Sequence, residues 1–501
     1  MGPVMVSRRA FLTSAAAFAA LPAMAAGPHA SLRPVLRPAD LAARAGPLGA
    51  DLVAQAGLGG RVGYAVADAR TGEVLDVLNP LDPLPPASVA KAVTCAYGLD
   101  RLGPDYRFRT RVLADGVLRG DRLEGDLWLV GSGDPMLDTD HLGALVASVR
   151  AYGIAEVTGR IWLADGALPR IFEIDPLQPD HVGYNPAISG LNLNFNRVHF
   201  EWVRQAGAYS FTLDARSERL RPPVAVARMR IEDRADPVYT YDQIDGRDHW
   251  TVARASLGDR GARWLPVRQP TAYVAEVFAT LARDQGLRFG DVAPSQRAPQ
   301  SVAPSAWLVG EHVSDPMRDV LRAMMRWSTN LTAEVVGLLA AQASGLRPAT
   351  LGQSAAVMSN WMRDRLGAVQ PDFVDHSGLG DQSRLCPQDM VSALVAAGPN
   401  GALRDLMRAH PMLNARGEPV ANHPVAVVAK TGTLNFVSSL AGYARLPSGR
   451  DLAFAIFCAD VERRAALSEA ERERPEGARP YSRRARRMQQ QLIERWADLH
   501  G

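Results

Sequence analysis

VAVVAKTGTLNFVSSLAGYARLPSGRDLAFAIFC, Val425 to Cys458, holds three strand-like runs in series. They read as Val425 to Ala429, Val437 to Ala444 and Asp451 to Cys458, each joined to the next by a short turn. That pattern predicts an antiparallel meander. A second strand signal lies near the start of the chain. Arg61-Val-Gly-Tyr-Ala-Val-Ala alternates, Asp68 to Gly72 makes a turn, and Glu73-Val-Leu-Asp-Val-Leu returns as a hairpin. Neither piece is a stable sheet alone. Joining them gives one five-stranded antiparallel sheet flanked by helices, an α+β fold.

Between those pieces the texture changes. Phe108 to Val130 shows alternating strands with Gly turns, and Val157 to Leu163 reads as another strand. His141 to Ala151 and Thr271 to Gly286 carry helical spacing. The stretch from about 195 to 268 is a run of short strands, and Ala293 to Pro304 looks like a linker. Residues 106–305 are therefore expected to be a large, mostly β insertion, which splits the main domain into 26–105 and 306–501. In the second half, helices are expected at Pro316 to Arg326, Leu331 to Ser344, Ser354 to Leu366 and Gln388 to Ala397. The charge-dense stretch Glu462 to Arg487 reads as a solvated loop before a final helix. Its Arg483, Arg484, Arg486 and Arg487 fit a solvated face better than a membrane-binding one.

At 501 residues the chain is long enough for about two to four domains. With 47% hydrophobic residues it can build a large core without metals or disulfides. A net charge of +3 gives no general affinity for nucleic acid. Cys95, Cys386 and Cys458 lack CxxC spacing and are expected as buried thiols. Residues 1–25 read as a secretory leader: Arg8-Arg9, an apolar run and Ala23-Met24-Ala25 in succession. Ser7-Arg8-Arg9-Ala10-Phe11-Leu12 resembles the twin-arginine signal, which predicts a periplasmic protein.

Three short motifs carry chemistry. Ser88-Val-Ala-Lys91 sits where a Pro-rich loop enters a helix, and i, i+3 spacing puts Ser and Lys on one face. A Ser beside a Lys able to act as base is an activated nucleophile. Ser328-Thr-Asn330 lies between two helices, where Asn330 also suits a helix cap. Lys430-Thr431-Gly432-Thr433 closes a Val-rich strand, and Gly432 admits another backbone close by. Each motif alone has a plain structural reading; the set in this order does not. Lys91 and Lys430 are the only two lysines in a chain with 56 Lys and Arg. A buried Lys can lose its proton, whereas Arg cannot. Gly131-Ser-Gly-Asp-Pro lacks the Lys-Ser/Thr of a phosphate loop and reads as a turn. Asp375-His376-Ser377 is not a triad, because neighbours in sequence cannot face one another as that chemistry needs.

SxxK, SxN and KTG together are the signature of serine β-lactamases and penicillin-binding proteins. With 240 residues between Ser88 and Ser328, the chain resembles the D-Ala-D-Ala carboxypeptidases/endopeptidases of the class C penicillin-binding proteins. Tyr106-Arg-Phe-Arg-Thr, Gly125-Asp-Leu-Trp-Leu-Val-Gly-Ser-Gly-Asp-Pro and Lys430 through Tyr443 are also similar. Thr329 stands where that family usually has Asp or Asn, and His376 where it usually has Gly. The resemblance implies a β-lactamase/transpeptidase-like domain and hydrolysis of peptidoglycan peptides through a Ser88 acyl-enzyme. It implies Lys91 as base, Ser328 as proton relay and Asn330 on the substrate amide. Lys430, Thr431 and Thr433 would take the terminal carboxylate, with Gly432 between them. The N–H groups of Ser88 and Thr433 would form the oxyanion hole. β-Lactam antibiotics should inhibit, and neither metal nor organic cofactor is needed. A β-lactamase or esterase of the same fold, or a non-catalytic wall-binding scaffold, are the other readings. Oligomeric state and the balance of carboxypeptidase and endopeptidase action stay open.

Overall fold

The computed structural model describes residues 47–295, 302, 304–414, 416–468 and 471–501. The leader expected at 1–25 lies outside them. The three runs between Val425 and Cys458 form the strands Ala426–Leu434, Val437–Arg445 and Asp451–Ala459. Asp451–Ala459 pairs antiparallel with Arg61–Asp68, Ala459 opposite Arg61 and Leu452 opposite Asp68. Val74–Leu78 completes the hairpin. Segments from opposite ends of the sequence thus share one sheet. A short strand, Arg408–His410, pairs with Ala426–Leu434 and makes the sheet six-stranded rather than five. Three residues are too few to show a period in sequence.

Alternate residues of this sheet feed two cores, as the pleat requires. Ala65, Ala67, Ala441, Tyr443, Ala455 and Phe457 face a cluster shared with the helices Ala90–Leu102, Asn330–Ala343, Leu351–Leu366 and Pro387–Ala397. Tyr64, Val66, Leu440, Phe454 and Ile456 face the other side, against the helices Gly49–Ala56 and Ala478–His500. Burial on both faces explains why the central strands read as nearly continuous apolar runs.

The last helix corrects the loop expected at Glu462 to Arg487. It begins at Ala478, and Tyr481, Ala485, Met488 and Leu492 form its buried stripe. Those apolar positions recur at helical spacing, but the surrounding arginines masked them. A short helix, Val461–Ala465, precedes it.

The middle of the chain builds its own core around a seven-stranded sheet. Its long hairpin is Arg109–Arg119 with Arg122–Val130. Trp307–Val313 returns antiparallel to Arg109–Arg119, Val313 opposite Arg109, so the chain leaves and re-enters side by side. The strand expected at Val157 to Leu163 is two, Glu156–Val157 and Ile161–Ala164. The expected linker begins instead as a strand, Val292–Ser295, paired with Ile161–Ala164. Two three-stranded sheets carry the short strands between Arg197 and Pro266. Gly131 to Asp134 is an irregular segment tied to its neighbours, Gly131 N–H donating to the Ala164 carbonyl and Gly133 N–H to that of Gly190, and the turn follows at Pro135-Met136. All three cysteines are buried free thiols. Among the described residues, no helix is long and apolar enough to cross a membrane.

Candidate active site

Ser88 sits in a single 3-10 turn, Ala87–Val89, that runs directly into the helix Ala90–Leu102. The chain reaches it through Ala87 at φ 46°, a region that non-glycine residues seldom occupy. Such strain persists only where surrounding structure imposes it. Here Gly378 packs so closely that a Cβ on it would overlap the Ala87 carbonyl oxygen. On the other side passes the strand Ala426–Leu434. A Cβ on Gly432 would lie 2.5 Å from the Pro86 carbonyl oxygen and 3.0 Å from Ser88 N. Glycine at 432 is what allows that strand to reach the Ser88 turn.

Lys91 lies one helical step beyond Ser88 and is fully buried. Its Nζ stands 3.0 Å from Ser88 Oγ, 2.7 Å from Asn330 Oδ1 and 2.7 Å from the Ser377 carbonyl oxygen. Burial, helped by the nearby Lys430 charge, pushes the Lys91 amine down to about 7, against the opposing pull of Asp375 and Glu334. A neutral amine has two N–H bonds and one lone pair. Asn330 and Ser377 offer only acceptors and take the two N–H bonds. The lone pair is then left for the Ser88 hydroxyl proton.

Ser328 ends the helix Met317–Trp327 at φ 57°, and Asn330 starts the helix Asn330–Ala343. That sharp corner turns Ser328 toward the strand Ala426–Leu434, where Lys430 Nζ donates to its Oγ at 3.1 Å. Lys430 is also buried, donates to the Thr431 carbonyl at 2.7 Å, and is pushed down to about 8 by that burial. Thr431 and Thr433 lie on the opposite face of the pleat from Lys430 and Gly432. Thr433 lines the cleft with Ser88, Ser328 and Asn330; Thr431 is exposed beside it. The Asn330 amide is occupied at both ends, since its Nδ2 donates to the Tyr184 carbonyl at 2.8 Å. The second Nδ2 proton remains available for a substrate carbonyl while the first stays on Tyr184.

Sequence reasoning missed the support beneath Lys91. Glu334 is fully buried, and its carboxylate accepts from the backbone N–H groups of His376 at 2.9 Å and Ser377 at 2.8 Å. It thereby fixes the loop whose Ser377 carbonyl receives Lys91. Asp375 holds the same loop from the other side, accepting from Gly378 and Gly380 N–H at 2.6 Å each. Burial pushes both carboxyls upward, and neighbouring negative charge adds to it, Asp375 acting on Glu334 and Asp175 on Asp375. The signal for Glu334 was present: it follows Asn330 by four residues, on the same helix face. Ser377 left no such signal, because it contributes a backbone atom. His376, at a position where Gly is usual, is accommodated. Its ring lies where a Cβ on Gly337 would fall, and its Nε2 is 2.8 Å from Ser354 Oγ.

The cleft over these groups is about 820 Å³. Gln178 and Tyr184 from the middle of the chain form one wall, and Arg464, Arg472, Arg479, Arg483 and Arg486 form another. Glu473 is the one carboxylate among its described lining residues, and it faces His181 and Arg263.

Comparison with known proteins agrees with this architecture. Residues 50–474 match the D-Ala-D-Ala carboxypeptidase 3 (S13) family. The chain is 24% identical over 435 residues to the D-alanyl-D-alanine carboxypeptidase DacB of Haemophilus influenzae, covering 81% of this chain and 87% of that protein. It is 28% identical over 434 residues to the D-alanyl-D-alanine carboxypeptidase of Actinomadura sp. strain R39, covering 79% and 77%. The crystal structure of penicillin binding protein 4 (dacB) from Haemophilus influenzae superposes with a TM-score of 0.72 at 19% identity, over 89% of this chain and 99% of that one. The likeness in fold includes both the six-stranded sheet with its helices and the sheets between. The chain belongs to the D-Ala-D-Ala carboxypeptidase 3 (S13) family and is a serine-type D-Ala-D-Ala carboxypeptidase.

Proposed function

We propose that the protein is exported to the periplasm and hydrolyses D-Ala-D-Ala ends, or the equivalent cross-links, of peptidoglycan peptides through an acyl-enzyme on Ser88. The observation that carries this reading is the arrangement of acceptors around Lys91 Nζ, which directs a lone pair at Ser88 Oγ. Lys91 takes the Ser88 proton as Oγ attacks the carbonyl of the penultimate residue. The N–H groups of Ser88 and Thr433 receive the developing oxyanion, where one donor is worth about 3–4 kcal/mol. Ser328, bridged to Lys430, relays to the leaving amine the proton that Lys91 took from Ser88, so that both lysines return to their starting charge. Lys430 and Thr433 take the terminal carboxylate, with Thr431 at the outer edge. Asn330 orients Lys91 through Oδ1 and binds the substrate amide through its second Nδ2 proton. Water then cleaves the ester. β-Lactams enter the same path and acylate Ser88.

Near this site, Glu334 is not poised to activate that water, since it is fully buried beneath the Ser377 loop and does not line the cleft. This supports a penicillin-binding hydrolase over a β-lactamase. Purified protein and a Ser88→Ala variant should be given labelled penicillin, a linear pentapeptide and a cross-linked dimer. Stable labelling and D-Ala release by the wild type alone is the expected result. Rapid penicillin turnover without D-Ala release would contradict it. Export is supported by the leader read at residues 1–25, with its Arg8-Arg9 pair. Arg8→Lys with Arg9→Lys should leave the protein in the cytoplasmic fraction; unchanged periplasmic recovery would count against the twin-arginine route.

A further inference from the structure

The last helix carries a row of charge that its own stability does not explain. Arg479, Arg483 and Arg486 fall at i, i+4 and i+7, on one helical face. Cations near a helix N-terminus oppose its dipole. Like charges three and four residues apart repel. The first turn of this helix holds no acid to offset them. Breaches of local rules of this kind concentrate at functional sites.

The helix cannot rotate to present another face. Tyr481, Ala485, Met488, Leu492, Ile493 and Trp496 are buried against the central sheet. The arginine face is therefore fixed, and it lines the cleft that contains Ser88. The cleft's other two arginines have structural duties. Arg464 binds Asp381 at 3.1 Å and the Asn435 carbonyl at 3.3 Å, and Arg472 reaches the Leu177 carbonyl at 3.3 Å. The side chains of Arg479 and Arg483 make no hydrogen bond, ion pair or ring contact with other described residues; that of Arg486 meets only the like charge of His410 when that ring is protonated.

We propose that Arg479, Arg483 and Arg486 form a subsite, continuous with the Ser88 cleft, that binds carboxylate groups of an acidic peptide substrate. This deepens the function proposed above and rests on it. The guanidinium fork matches a carboxylate in two parallel hydrogen bonds. At 1.5 Å per residue the row extends about 10 Å. That length suits a peptide with carboxylates on separate residues, rather than the single terminal carboxylate that Lys430 would take. The three exposed arginines line the same cleft as Ser88, which suits a peptide running out of that cleft better than a flat lipid surface.

The test uses direct binding, so that catalysis is not needed. Two peptides ending in D-Ala-D-Ala are compared, one with two free upstream carboxylates and one with both amidated. Calorimetry on the Ser88→Ala protein should show the acidic peptide binding about tenfold more tightly, with the preference shrinking as salt rises. Adding Arg479→Gln, Arg483→Gln and Arg486→Gln should reduce the preference to less than about twofold, with the melting temperature reporting an intact fold. Equal binding of the two peptides to Ser88→Ala would overturn the proposal. So would a preference that survives the three substitutions, including the case where they abolish only binding to phosphatidylglycerol vesicles. Penicillin labelling of the wild type separately tests the Ser88 reading, so the two can fail independently.

Discussion

Lys91 Nζ has three oxygen neighbours, and their chemical kinds define what the amine can do. Two are acceptors only, Asn330 Oδ1 and the Ser377 carbonyl; the third, Ser88 Oγ, carries a proton. A base must be neutral to act, and the Lys91 amine is pushed down to about 7. Lys430 must stay charged to hold a carboxylate, and it is pushed down to about 8. The signs therefore oppose. As pH rises through about 7, Lys91 gains its lone pair and kcat/KM for D-Ala release should climb; as pH rises through about 8, Lys430 loses charge and kcat/KM should fall. A bell with its limbs in that order is the expected profile. A rate that declines through pH 7 would invert the assignment. The candidate site residues were legible because SxxK, SxN and KTG each pair side-chain types at short spacing. Ser377 was not, since any residue can supply a carbonyl.

At the scale of the element, the strand Ala426–Leu434 and the turn Ala87–Val89 define the geometry of the candidate site by how closely they pass. Gly432 is the point of closest approach, and the nearest atom a Cβ would meet belongs to backbone and cannot rotate away. Gly432→Ala should therefore force strand and turn apart. Overpacking of this kind costs about 1–3 kcal/mol. Displacing reacting groups by about 1 Å can cost about 100-fold in rate. Stopped-flow acylation by a chromogenic cephalosporin, with calorimetry beside it, should show a much larger loss in rate than in stability. Wild-type acylation would mean that the strand does not position the nucleophile. The strands around this point were legible because alternation and apolar runs are properties of several residues together. Arg408–His410 was too short for any period to register. In Ala478–His500 the apolar stripe existed, but the arginines between its members dominated composition.

At the scale of the whole molecule, distant segments must be held together before any of this chemistry is possible. Arg61–Asp68 bonds to Asp451–Ala459, and the last helix locks the hairpin from behind. Trp496 is the bolt: fully buried, with its Nε1 donating to Asp76 Oδ2 at 3.0 Å and its ring against Tyr64 and Phe454. Trp496→Ala should cost about 3–5 kcal/mol and lower the melting temperature, because it removes a large buried side chain outside the cleft. An unchanged melting temperature would contradict the role given to that helix. The pairing of hairpin and meander was legible, since neither could stand alone. The contact between Tyr184 and Asn330 was not, because nothing local links a loop carbonyl to an amide 146 residues away. The proposed mechanism turns on Lys91 drawing the Ser88 proton at the point where these segments meet. The most direct measurement is the rate of penicillin acylation in Lys91→Arg, which preserves charge and reach but cannot give up its proton. The predicted result is a loss of at least about 100-fold, approaching the inactivity of Ser88→Ala; acylation at a near-normal rate would contradict Lys91 as the base.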